Sequence, residues 1–299
     1  MNKIDPASNA AHMAHITTNT SSKRKDPSTS SAHQPQAASS TLKNKMQNWF
    51  AQAGISPPNA TELGLDAQRK VQRRKIIQQQ RQLRNLERIL SLALEFSPAQ
   101  GQEENLDPDW FFSFIKLAEE IHSPTMQELW AKIFATEIGQ PGTFSLRSLN
   151  ILQQLTQRDA RIFSLAVSLA SRRSGDYSPR LLFGYYYKPS LLSMMGLKRG
   201  GQLNLAQFGL TYPDLLALMD LGLIYNSEIE SGELSTQKRN EWRIGGETLH
   251  MTPRNRGTLL NYYKFTAAGA ELSRLVPVKA QPDYINILKR TFNSAFDIH

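Results

Sequence analysis

Hydrophobic and polar residues recur with a helical period over most of the first half of the chain. A short amphipathic segment at 41–53 places Met46, Trp49 and Phe50 on one face. That face predicts docking on the protein core or on a partner, in preference to a membrane surface. A second segment at 66–96 predicts a helix about 46 Å long. Further helices are predicted at three N-terminal signals: Asp107 with Pro108, Ser123 with Pro124, and Thr156 with Asp159.

The pattern changes in the last third of the chain. Residues 211–226 predict a helix that leads into a strand, with Gly222 at the junction. The segments WRIGGETLHMT and LLNYYKF predict strands, and TAAGAELSRLV predicts a helix. PDYINILKRTFNSAF predicts a closing amphipathic helix. The C-terminal part is therefore expected to contain both helices and strands.

Charge changes the interpretation of the long helix at 66–96. The chain carries a net charge of +9, and residues 69–88 contain eight Lys or Arg and one acid. At 100° per residue, six of the cations fall within an arc of about 100°, and an apolar arc lies opposite. The apolar arc consists of Ile76, Leu83, Leu86, Leu90, Ala93 and Leu94. The basic arc, which is the predicted nucleic-acid-binding site, consists of Lys70, Arg73, Arg74, Arg81, Arg84 and Arg88.

Three kinds of partner fit this basic arc. Residues 95–141 contain nine acids and two bases, so the helix can fold back onto its own acidic block or remain solvated. A nucleic-acid backbone would neutralise the same cations and make binding salt-dependent. An acidic protein or a lipid surface is the third alternative. The apolar arc needs a partner of its own, either the body of the protein or another copy of the chain in a homo-oligomer.

Residues 107–155 resemble an uncharacterised family of bacterial proteins. The resemblance rests on DPDWFFSF, QELWAKIFATEI and PGTFSLRSLNIL, and it extends more loosely over residues 65–290. Because that family has no known function, the resemblance implies no activity and no site residues. LMDLGLI and KFTAAGAELSRL are also similar to the end of a winged-helix domain, with a wing at about 225–262. That second similarity implies a small α+β unit that binds DNA or protein.

Together these features predict a mainly α fold: a helical domain with a long N-terminal basic amphipathic helix and a small C-terminal winged-helix-like α+β unit. Residues 1–40 are predicted to be a disordered tail, and 41–65 a short amphipathic helix and linker. Residues 66–155 form the predicted helical region, and 156–299 the winged-helix-like unit with a C-terminal helix.

Several classes of function are not supported by the sequence. The chain has no cysteine, no apolar stretch of transmembrane length and no N-terminal apolar signal region, which favours a cytoplasmic protein. Nucleophile elbows, phosphate-binding loops and zinc-protease motifs are absent, so we expect no enzyme, cofactor, metal or small-molecule site. The sequence predicts a non-enzymatic nucleic-acid-binding or regulatory protein. The alternative is a protein-interaction or scaffold module.

Overall fold

The structure is a computed structural model that describes residues 35–55, 65–96, 106–176, 178–188 and 200–299. The chain divides into two compact units, Met1–Lys70 and Val71–His299. Helix α1 (Pro35–Gln52) belongs to the first unit, and helix α2 (Leu65–Glu95) begins there and continues into the second. Helix α1 starts at Pro35, ahead of the predicted start at Thr41. The predicted tail therefore lies outside the described residues up to position 34.

The next four helices that the structure describes after α2 begin at positions marked by local signals in the sequence. Asp107 caps α3 by accepting a hydrogen bond from the Asp109 N–H at 2.9 Å. Thr156 and Asp159 form the predicted capping box at the start of α6. Ser123 occupies the N-cap of α4, but its side chain makes no capping hydrogen bond. The four helices are α3 (Pro108–Ala118), α4 (Pro124–Gly139), α5 (Leu146–Gln154) and α6 (Gln157–Leu169).

Aromatic side chains form the core of this helical part. The Phe114 ring lies 5.3 Å from those of Trp110 and Trp130 and 5.1 Å from that of Phe134, measured between centroids. Trp110 and Trp130 are both buried. Phe163 of α6 contacts Phe265 at 5.9 Å, so this core continues into the C-terminal half. Within the described residues, no helix is both long enough and apolar enough to cross a membrane.

The prediction of a mainly α fold is wrong, because the C-terminal half contains an eight-stranded antiparallel sheet. Its order is β4-β7-β2-β1-β5-β6-β8, and β3 pairs with β2. The strands are β1 (Ser171–Arg173), β2 (Arg180–Tyr187), β3 (Gly201–Gln202), β4 (Ile229–Glu230), β5 (Asn240–Ile244), β6 (Glu247–Pro253), β7 (Thr258–Lys264) and β8 (Phe296–Ile298). The helices that the structure describes in this half are α7 (Tyr212–Asp220), α8 (Ala267–Leu272) and α9 (Pro282–Phe292), with 3-10 turns at Leu205–Phe208 and Ser273–Leu275.

Strand β2 is buried on both faces, which explains its continuous apolar sequence. The neighbouring residues Leu181 and Leu182 point to opposite faces, and both are fully buried. The Tyr284 hydroxyl of α9 donates a hydrogen bond to the Leu182 carbonyl at 3.0 Å. Helix α9 therefore packs on the sheet near its centre.

The winged-helix interpretation is also wrong. Strands β5 and β6 form a hairpin through Gly245 and Gly246, which both have positive φ as a two-residue turn requires. Strand β5 also pairs with β1, whereas β7 pairs with β2 and β4. Residues 225–262 are thus distributed across the two ends of one large sheet, and they do not form a separate wing.

The segment that suggested a winged helix has a local structural explanation. Thr266 caps α8 by accepting a hydrogen bond from the Gly269 N–H at 3.0 Å, and its hydroxyl donates to the Gly222 carbonyl at 2.6 Å. A Cβ atom on Gly269 would lie 1.9 Å from the Leu223 carbonyl oxygen. Thr266 and Gly269 therefore allow α8 to pack directly against the end of α7.

Candidate nucleic-acid interface on helix α2

Within the second unit, helix α2 packs against α3 and α4 through amide side chains together with apolar ones. Asn85 is buried, and its Nδ2 donates to the Glu119 carbonyl at 2.7 Å. Gln127 Nε2 donates to Asn85 Oδ1 at 3.2 Å, and Gln82 Nε2 donates to Glu120 Oε1 at 2.7 Å. These bonds join α2 to the end of α3 and to α4. The buried apolar residues beside them are Ile89, Leu92 and Ala93.

His122 takes part in the same docking. Its Nδ1 lies 2.9 Å from Asn85 Nδ2, which is a donor, so this ring nitrogen accepts. Its Nε2 lies 3.8 Å from Glu120 Oε2. His122 is therefore a structural residue at the boundary between α3 and α4.

The body of the protein, one of the two partners expected for the apolar arc of α2, leaves four members of that arc uncovered. Ile76, Leu83, Leu90 and Leu94 are exposed, with Leu83 at 57% and Leu94 at 69%. The docked face lies between the predicted apolar and basic arcs, about a quarter-turn from each. Because the α3–α4 surface offers polar groups to Asn85 and Gln82, the helix is not oriented by its hydrophobic pattern alone. We call the four exposed residues the apolar strip.

The cations of α2 differ in their surroundings. Arg81 is partly buried, and Lys70 is exposed at the end of the first unit. The other four predicted residues are exposed, and among the residues that the structure describes none of them forms an ion pair within 4 Å. We call these four the basic face of α2: Arg73, Arg74, Arg84 and Arg88.

Five of the seven described acids in the block at 95–141 are engaged elsewhere. Glu119 and Glu120 accept hydrogen bonds from the uncharged Gln82, and Glu128 pairs with Lys132 at 2.7 Å. Asp107 caps α3. Residues 97–105 of the block lie outside the described residues. The basic face and the described acids are therefore not paired with each other.

Other arginines are not part of this interface. Helix α6 ends at Leu169, so Arg172 lies on β1 and does not share a helical face with Arg158 and Arg161. The Arg172 guanidinium donates to Ser273 Oγ at 3.0 Å. Burial, and to a lesser extent the neighbouring Arg274, lowers the pKa of Arg172 below its usual value.

Comparison with known proteins identifies the family of this chain. A model of the DUF2806 family, whose description is "Protein of unknown function", matches residues 68–289. The chain belongs to the DUF2806 family. No curated protein and no solved structure matches it. The DUF2806 region includes nearly all of α2 and therefore the whole basic face, whereas helix α1 precedes it.

A buried carboxylate organises the turn between α4 and α5 in the DUF2806 region. Glu137 is 3% exposed, and its two oxygens accept hydrogen bonds from the Gly142 N–H at 2.5 Å and the Phe144 N–H at 2.8 Å. The Trp110 indole donates to the Phe144 carbonyl at 2.7 Å. The tryptophan, the glutamate and the PGTF turn thus form one structural network.

The DUF2806 region also contains an apolar groove of about 740 Å³, which the sequence did not indicate. It lies between α4, α6 and the turn after α8, and its walls include Met126, Leu129, Phe163 and Leu275. Arg161 is the one charged residue among the described residues that line it. These walls provide no pair of titratable groups for acid–base chemistry.

Proposed function

We propose that this protein binds nucleic acid through the basic face of α2. The observation that carries the proposal is the exposure of Arg73, Arg74, Arg84 and Arg88 without carboxylate partners among the described residues. Guanidinium groups bind phosphate oxygens through paired N–H donors, so such a row suits a phosphate backbone.

The proposed interaction is electrostatic and tolerant of sequence. Arg73 and Arg88 lie about 22 Å apart along the helix axis, at 1.5 Å per residue. If all four arginines contact phosphates, the logarithm of the binding constant falls with the logarithm of salt concentration with a slope of roughly −4. Phosphate contacts carry no base information, so we expect similar affinity for unrelated sequences.

A triple substitution with a matched control tests this proposal. Arg73→Gln, Arg84→Gln and Arg88→Gln remove three charges from the basic face. Arg147→Gln, Arg239→Gln and Arg290→Gln form the control and remove three exposed charges elsewhere. The affinity of a labelled double-stranded DNA and of a single-stranded RNA is measured across a salt series.

The two triple variants are expected to differ in their salt dependence. The basic-face variant should lose about 3 units of log–log slope and bind at least tenfold more weakly at low salt. The control variant should keep nearly the full slope. Equal slopes in the two variants, or an unchanged basic-face variant, would contradict the proposal.

The cellular setting belongs to the proposal as well. We place the protein in a bacterial cytoplasm, because the chain has no cysteine and no extended apolar segment, and because its central block resembles bacterial proteins. We propose a regulatory role without enzymatic activity, since the motifs of common enzyme classes are absent from the sequence.

The second candidate function is a protein-interaction or scaffold module that uses the apolar strip of α2. Leu83 and Leu90 are more than half exposed and lie seven residues apart, the spacing by which helices pair. Leu83→Asp with Leu90→Asp should release a partner subunit, measured as a lower mass in sedimentation. A monomer both before and after the substitution would contradict the oligomeric form.

A further inference from the structure

Helix α1 has an apolar face that its own unit leaves in contact with solvent. Leu42, Met46, Trp49 and Phe50 fall within an arc of about 100° around the helix. Their exposed fractions are 61%, 55%, 67% and 57%. Four large apolar side chains on one short helix are an unusual surface, and such patches mark sites that bind other molecules. We call these four residues the α1 apolar face.

The charges of α1 favour an anionic partner. Lys43 lies about 20° beyond one edge of the α1 apolar face, and Lys45 lies about 40° beyond the other edge. Both lysines are exposed, and residues 35–55 contain no Asp or Glu. The remaining positions of the helix are uncharged: Asn, Gln, Ser, Thr, Ala and Pro. A cation therefore borders the apolar face on each side.

We propose that α1 binds the surface of a lipid bilayer that contains anionic lipids. An apolar face bordered by lysines is the arrangement of helices that lie in the plane of a membrane interface. The lysine stems follow the apolar side chains while their ammonium groups reach the headgroups. Trp49 and Phe50 would insert at headgroup depth, where aromatic rings are favoured.

Two other occupants fit the same helix less well. A second copy would bring two pairs of lysines together with no acid in 35–55 to neutralise them. Nucleic acid would gain only two phosphate contacts and would leave the four apolar side chains in water. An anionic bilayer neutralises the two lysines and also removes the four apolar side chains from water.

The chain contains its own reporter for this event. Trp49 is exposed, whereas the other three tryptophans, Trp110, Trp130 and Trp242, are 5% exposed or less. Transfer of α1 into a bilayer should therefore shift the emission of the full-length protein to shorter wavelength, and the shift should come from Trp49.

The experiment uses the full-length chain with two kinds of vesicle, phosphatidylcholine alone and phosphatidylcholine mixed with phosphatidylglycerol. Co-sedimentation and tryptophan emission are recorded together. We expect binding and a blue shift with the mixed vesicles. Trp49→Phe should keep co-sedimentation and lose the shift. Lys43→Gln and Lys45→Gln should each weaken binding to the mixed vesicles about fivefold.

Matched variants separate α1 from the other exposed apolar surface. Leu42→Gln with Met46→Gln should abolish vesicle binding, whereas Leu83→Gln with Leu90→Gln on α2, which are equally exposed, should not change it. Absence of binding to mixed vesicles, or equal binding by the Leu42/Met46 variant, would overturn the proposal. The proposal would also be overturned if the wild-type chain self-associated without binding vesicles and the Leu42/Met46 variant lost that self-association. DNA affinity should be the same in all α1 variants, so the two proposals fail independently.

Discussion

Glu137 gives the sharpest test of how the DUF2806 region is held together. Glu137→Gln keeps the shape of the side chain but replaces one carboxylate oxygen with an amide NH2 group. Each oxygen of Glu137 accepts one backbone N–H, so the substitution places one donor against another. Hydrogen bonds to charged groups contribute about 1.5–3 kcal/mol each, and an unsatisfied buried donor costs a similar amount. We expect the free energy of unfolding to fall by about 2–4 kcal/mol.

The same helix provides the control. Glu128 of α4 is half exposed and pairs with Lys132, so Glu128→Gln should cost no more than about 1 kcal/mol. Both variants are compared by urea unfolding, monitored by circular dichroism and by tryptophan emission. Equal stability of the two variants would refute the view that Glu137 organises the turn. Glu137→Ala removes both acceptors and should cost about 3–5 kcal/mol.

Three further predictions concern single contacts. Gly269→Ala should lower the free energy of unfolding by at least about 3 kcal/mol, because the new Cβ meets the Leu223 carbonyl; a urea midpoint near that of the wild type would contradict this. Burial raises the pKa of Tyr284 above its ordinary value of 10.0, so the folded state keeps the phenolic proton of this residue. The stability that Tyr284 contributes is therefore fully present below pH 10 and is lost as the pH rises above 10. Tyrosinate absorbance from this residue should appear only on unfolding, and Tyr284→Phe should remove that step from the alkaline titration. Asn85→Ala deprives the Glu119 carbonyl of its donor, should cost about 1–3 kcal/mol, and should speed amide exchange in α2 but not in α9.

The helices could be predicted from the sequence because their signals are local. Asp107 and the Thr156–Asp159 pair act within one turn of the chain. The segment WRIGGETLHMT was predicted as one strand, which is wrong: its two adjacent glycines form the turn of the β5–β6 hairpin, and they were a local signal that was missed. The sheet as a whole was not predictable, because β2 is buried on both faces and shows no alternation of polar and apolar residues.

The candidate interface was also only partly predictable, because the orientation of α2 depends on contacts with residues distant in the sequence. Helical periodicity puts the arginines of the basic face on one side of α2, because the period of the helix fixes those positions. It does not reveal which side docks, because that depends on the groups that α3 and α4 present. Asn85 was the overlooked signal. A buried amide on a helix needs hydrogen-bond partners, so Asn85 marks a face that docks against polar groups.

The pairing of β2 with β7 has a consequence for how the protein reaches its native state. Leu181 pairs with Tyr263, more than 80 residues later in the chain. Closing so long a loop costs entropy before any contact is gained, so folding of the sheet should be slow. Until β7 pairs with β2, the uncharged β2 segment LLFGYYY can pair with other chains. It has the composition of segments that form intermolecular β-sheets. We therefore expect refolding yield to fall as protein concentration rises, and a charge introduced within β2 would not relieve this without also destabilising the core.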